Sequence, residues 1–142
     1  DRKEKYMKNM RRIGASILVV AVLLTVSAFA ATEEFSGQLP AKHGDTEVST
    51  IARKNGAAVK PYFEILIDQL GGNGSSVRAW TEVNATGLNV SSPYNEVDKD
   101  VYTKINYSSG AAPAKGLDVT LNLDNPIYTT TAVSVGGEWT PN

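Results

Sequence analysis

Two hydropathy patterns divide the chain. From Ile13 to Ala31 apolar residues dominate an almost unbroken stretch, whereas beyond Asp45 apolar and polar residues alternate in short runs. Alternation of period two is the signature of a strand with one buried face. The clearest run sets Leu117, Val119, Leu121 and Leu123 against Asp118, Thr120, Asn122 and Asp124. That pattern predicts a strand with one aliphatic and one wet side. Val101, Thr103, Ile105 and Tyr107 alternate in the same way with Tyr102, Lys104 and Asn106. Phe63, Ile65 and Ile67 alternate with Glu64, Leu66 and Asp68. A further strand is expected over Val77 to Asn84, carrying Trp80, and another over Tyr128 to Val135, where Thr and Val suit a pleated surface. Thr46 to Ala52 reads as a weaker, edge strand.

Turn residues fall between these runs. Gly71-Gly72-Asn73-Gly74 predicts a hairpin turn, because Gly and Asn tolerate positive φ. Ser91-Ser92-Pro93 with Asn95, the small-residue stretch Ser108 to Gly116, and Asn125-Pro126 mark later breaks, and Gly136-Gly137 precedes Trp139. Ala31 to Asp45, with Gly37, Pro40 and Gly44, reads as a flexible or extended lead-in. The expected fold is all-β: a small antiparallel sandwich of six or seven strands over residues 46–142, preceded by a signal-peptide helix.

The apolar stretch carries the second expectation. Lys8, Arg11 and Arg12 precede it, its densest part is Ile17 to Val26, and it ends in Ala28-Phe29-Ala30. A basic start, an apolar middle and small residues ahead of a cut are the parts of a secretory signal peptide, here residues 7–30 with cleavage before Ala31. No basic anchor follows; the next charges are Glu33 and Glu34. Left uncleaved, the same segment is the one route to a membrane. Residues 1–6 read as translated leader or a fragment of a longer chain. Arg2-Lys3-Glu4 is encodable as a purine-rich run like a bacterial ribosome-binding site, two codons before Met7.

Removing the leader changes the charge picture. The whole chain carries a net charge of −1, but the part after Ala30 holds eight basic and thirteen acidic residues, a net of −5. An acidic product stays soluble and lacks the clustered Lys and Arg that nucleic acid requires. The chain has no cysteine. Disulfide staples and cysteine-linked lipid are thereby excluded, and a domain of this size must be held by its core, a metal or an oligomer.

Candidate chemistry is sparse. The single histidine, His43, lies beside Gly44 and Asp45 and reads as an exposed loop residue. Without cysteine it cannot join a Cys/His zinc site, and no Gly-x-Ser-x-Gly elbow is present. Thirteen acids pair by chance too readily to argue glycoside hydrolysis. No catalytic residue and no cofactor is expected, and the reading is non-enzymatic. Asn95, Glu96, Asp98 and Asp100 place four oxygen-bearing side chains in six residues, a weak calcium candidate weakened by Lys99 and better read as a solvated loop. Asn84-Ala-Thr86, Asn89-Val-Ser91 and Asn106-Tyr-Ser108 match the N-glycosylation pattern, as chance predicts in a chain rich in Asn, Ser and Thr. By alternation Trp80 sits with Arg78 and Glu82, opposite Val77, Ala79 and Val83. It is therefore expected to point out of the core, toward solvent or a partner, and is the binding candidate.

The stretch from Arg53 to Val83 and the late Val119-Thr-Leu-Asn-Leu with Gly137-Glu-Trp-Thr-Pro resemble a family of short exported proteins of Gram-positive bacteria of unknown function. More loosely, the late strands and Trp139 are similar to the lactococcin-like bacteriocins, although the Gly-Gly-x-Trp start of those toxins does not follow Ala30. The resemblance implies a secreted or cell-wall-associated β protein and assigns no functional residue. Three functions follow as expectations: an exported binding or surface protein whose partner is a protein or cell-wall glycan, a bacteriocin-like antagonist, or a subunit that forms homo-oligomers by strand addition, with 31–45 as the donor.

Overall fold

The computed structural model describes residues 32–42, 44–126 and 130–142. The expected leader, signal peptide and cleavage residues Ala28, Ala30 and Ala31 lie outside the described residues, as do His43 and Tyr128. Within them the chain is all-β, with nine strands in two antiparallel sheets stacked as a sandwich. The strands are β1 (Glu33–Leu39), β2 (Thr46–Ala52), β3 (Tyr62–Leu70), β4 (Ser76–Val83), β5 (Leu88–Asn89), β6 (Asn95–Asp98), β7 (Thr103–Asn106), β8 (Asp118–Asp124) and β9 (Val133–Thr140). The first sheet runs β1-β9-β3-β7. The second runs β2-β8-β4, and β4 then pairs β6 along Ser76–Ala79 and β5 at Glu82 and Val83.

Most apolar positions of the alternating runs meet between the sheets, but Val101 and Leu117 precede β7 and β8 and are half exposed. The expected wet side of β8 is covered, with Thr120, Asn122 and Asp124 buried. Phe35 and Leu39 from β1, Phe63, Ile65 and Ile67 from β3, and Val133, Val135 and Trp139 from β9 line one side. Val77 and Ala79 from β4, Val97 from β6, and Val119, Leu121 and Leu123 from β8 line the other. Each large side chain so buried contributes about 1.5–3 kcal/mol. That burial replaces the staples a cysteine-free chain lacks. Trp139 meets Phe63 edge-on, with ring centroids 6.4 Å apart.

Several expectations are corrected. Among the described residues the strand count is nine rather than six or seven, because two short strands, β5 and β6, form in stretches whose pattern reads as loop, and because the lead-in itself forms β1. Within it, Phe35 and Leu39 are buried and pair β1 to the last strand. Gly71 to Gly74 does not close a hairpin: β3 lies in the first sheet and β4 in the second. Turn residues specify a reversal, not which sheet receives the next strand. The late strand begins at Val133, and Gly136-Gly137 lies inside it. A Cβ on Gly137 would collide with the Leu66 carbonyl oxygen, so only glycine fits where β3 shifts register between Ile67 and Gln69.

Candidate functional site

The outer face of the second sheet is built from the polar halves of β4 and β8. The register sets Arg78 opposite Asp124, Trp80 opposite Asn122 and Glu82 opposite Thr120. Arg78 grips Asp124 with both arms, Nε to Oδ1 at 2.7 Å and Nη2 to Oδ2 at 2.5 Å. This hydrogen bonding raises the Arg78 pKa above its ordinary value against the opposing effect of partial burial. The Trp80 indole N–H donates to Glu82 Oε1 at 3.1 Å. The Thr120 hydroxyl bonds to that of Thr50 at 2.9 Å and donates to Asn84 Oδ1 at 3.1 Å.

The Arg78–Asp124 and Trp80–Glu82 pairs border a cleft of about 210 Å³. Trp80, Arg78 and Asp124 line it with Glu82 and Asn89, and Asp45, Pro93 and Tyr94 complete it. Trp80 does leave the inter-sheet core, as its alternation with Arg78 and Glu82 required, yet only 4 % of it meets solvent. The exposed aromatic of the cleft is Tyr94, at 77 %. Its turn is fixed by the Ser92 hydroxyl, which accepts from the Tyr94 amide at 3.3 Å, and by the Ser92 carbonyl, which accepts from Asn95 Nδ2 at 2.9 Å. Facing Trp80 from β8, Asn122 is 4 % exposed, and its Nδ2 finds no hydrogen-bond partner among the described residues. It does not line the cleft, and an unpaired buried donor of this kind is a cost to the fold.

A second groove, of about 430 Å³, lies on the first sheet between Glu34, Ser36, Asp68, Gln69 and Glu138. Tyr102 is half exposed, and partial burial together with Glu138 and Glu64 raises the pKa of its hydroxyl. The groove itself is acidic and lined by no exposed aromatic ring.

The calcium candidate does not assemble. Residues 95–98 form β6, where alternation puts Asn95 on the side of buried Val97 and turns Glu96 and Asp98 away. Glu96 accepts a short hydrogen bond from the Ser76 hydroxyl, and Asp100, in the left-handed region with φ 63°, pairs Lys99 at 2.8 Å. Among the described residues no group of three or more acidic or histidine side chains is placed to hold a metal.

Sequence reading missed Arg53. It is 1 % exposed and, among the described residues, donates only to backbone carbonyls: Nε to Asn142 at 2.7 Å, Nη2 to Lys60 at 2.7 Å, and Nη1 to Pro113. Its guanidinium lies 4.8 Å from the centre of the Tyr107 ring, and the Tyr107 hydroxyl donates to the Pro141 carbonyl at 2.7 Å. Burial lowers the Arg53 pKa, and burial raises that of Tyr107. Asn142 Nδ2 adds a bond to Glu64 at 3.2 Å. The cluster ties residues 53–60, 107–113 and 141–142 together, and the arginine spends its hydrogen bonds on the chain itself.

The chain matches no family model, no curated protein and no solved structure. Function therefore rests on the geometry.

Proposed function

We propose that the chain is an exported, non-enzymatic binding protein that holds a polar glycan of the cell wall in the cleft on the outer face of the second sheet. One observation carries the reading: Tyr94, 77 % exposed, stands at the rim of a cleft lined by Arg78, Asp124, Glu82 and Asn89. A sugar ring offers an apolar face to an aromatic ring, and its hydroxyls take acceptors and donors in the same plane. Asp45 lies in the same cleft and adds a further carboxylate acceptor. The carboxylates of Glu82 and Asp124 are already engaged by Trp80 and Arg78, which suits orientation of a ligand better than proton transfer. The export signal read in residues 7–30 and the resemblance to exported Gram-positive proteins point to the wall as the place of encounter.

Sedimentation with purified cell walls tests this reading. Wild-type protein is expected in the pellet, and soluble wall fragments should release it. Tyr94→Ala is expected in the supernatant with an unchanged thermal transition. Equal retention of wild type and Tyr94→Ala would remove the cleft from the account.

A further inference from the structure

The first strand is held in a way that invites exchange. β1 is the outermost strand of its sheet and pairs with β9 alone, Glu33–Leu39 against Val133–Trp139 in unbroken register. Its apolar residues nevertheless complete the core, Phe35 being 7 % and Leu39 0 % exposed. Between them Gly37 lies against β2, where an added Cβ would stand 3.3 Å from Val48 Cγ1. Lifting β1 out would thus open a slot with one free ladder edge, two side-chain pockets and a narrow waist. The segment that fits this slot is Glu33–Leu39 itself.

The ladder holding β1 is weak in side-chain terms. Glu34 faces Glu138, a like-charge pair directly across the strands, and Phe35 and Ser36 face Gly137 and Gly136. Cross-strand pairs are the unit of sheet stabilisation, and here one is repulsive and two lack a partner side chain. The described residues of the connection to β2, on either side of residue 43, fold back closely. Lys42 sits in the left-handed region at φ 60°, and a Cβ on Gly44 would stand 2.7 Å from Pro40 Cβ. A non-glycine residue so placed carries a backbone cost that an extended connection recovers. Strained short hinges favour exchange of the element they carry. The Thr46 hydroxyl, donating to the Gln38 carbonyl at 2.9 Å, is the bond that spans the fold-back.

We propose that β1 exchanges between copies, the Glu33–Leu39 segment of one chain completing the first sheet of a second copy. The contacts within the slot are the same in both arrangements, so the balance depends on the hinge and on protein concentration. The cleft at Trp80 and Tyr94 lies on the other sheet and is untouched, so exchange and glycan binding succeed or fail separately.

A pair of surface cysteines tests this directly, since the native chain has none. Gln38 and Ser134 are exposed and directly opposed across β1 and β9, within disulfide reach. Gln38→Cys protein and Ser134→Cys protein are unfolded, mixed, refolded together at high concentration and oxidised. Exchange predicts a disulfide-linked pair joining residue 38 of one chain to residue 134 of the other, well above that formed between Gln38→Cys and an exposed control, Thr130→Cys. Deleting Ala41 and Lys42, which prevents the fold-back, should shift the protein from monomer to oligomer by light scattering. A 38–134 yield no greater than the control, with the deletion variant folded and monomeric, would overturn the proposal.

Discussion

Arg53 and Arg78 carry the same charge on the same sandwich and are held in opposite ways. Arg53 is buried, stacked on Tyr107, and spends its donors on the backbone carbonyls of Lys60, Pro113 and Asn142. Arg78 lies on an outer face, more than a quarter of its side chain in solvent, and meets a single carboxylate. The first arrangement fixes the chain and leaves nothing to offer a ligand. The second keeps a charged, planar group at the wall of a cleft, beside an exposed ring. An arginine's partners and its access to water, rather than its presence, separate scaffold from site.

The comparison is broken most severely at Arg53. Arg53→Ala strands the carbonyls of Lys60, Pro113 and Asn142 and bares the Tyr107 ring, so unfolding free energy should fall by about 3 kcal/mol or more in urea titration. Arg53→Lys should recover only part of it, because a lysine cannot serve three carbonyls from one plane. Trp80→Ala comes next. The residue is 4 % exposed, and its truncation should cost about 3 kcal/mol. A variant that lost binding with an unchanged thermal transition would instead make Trp80 the contact surface.

Arg78→Ala sharpens the contrast. Its pairing with Asp124 is partly screened by solvent, so stability should fall by only about 1 kcal/mol, while retention on cell walls falls about tenfold or more. Tyr94→Ala should leave stability within about 0.5 kcal/mol of wild type and abolish retention. The smallest effect is a pH dependence at the Arg53 cluster. Burial raises the Tyr107 pKa above its ordinary value of 10.0, so the folded chain keeps that proton after the unfolded chain has lost it. The unfolded state then binds fewer protons, and this contribution to stability, full below the ordinary value of 10.0, declines as pH rises beyond it. Chemical denaturation across that range should show a shallower decline for Tyr107→Phe.

The same contrast explains what the sequence made legible. Strands β3 and β8 announce themselves, because Phe63, Ile65, Ile67 and Val119, Leu121, Leu123 each face one shared core. The outward setting of Trp80 follows from the same alternation. Its near-complete burial does not, since alternation assigns a face and says nothing of what covers it. β1 is obscured by Gly37, Pro40 and Gly44, although Phe35 and Leu39 hold the spacing of a strand. β6 is hidden because only Val97 of its four residues is buried and the acids around it read as a loop. The Arg53 cluster has no local signal at all: its partners at 60, 107, 113 and 142 are joined only by the completed fold. The Arg78–Asp124 pair likewise depends on a β4–β8 register that no neighbouring residues reveal.

The most direct test of the cleft is a titration of the purified protein with soluble cell-wall glycan fragments, followed by tryptophan emission. Trp80 borders the cleft, whereas Trp139 is buried in the core between the sheets. A saturable change in wild type, absent in Tyr94→Ala and unaltered in a variant of the distant acidic groove such as Glu138→Gln, is the predicted result. An identical saturable change in wild type and Tyr94→Ala, or its loss in Glu138→Gln alone, would contradict the assignment and move the binding site off the second sheet.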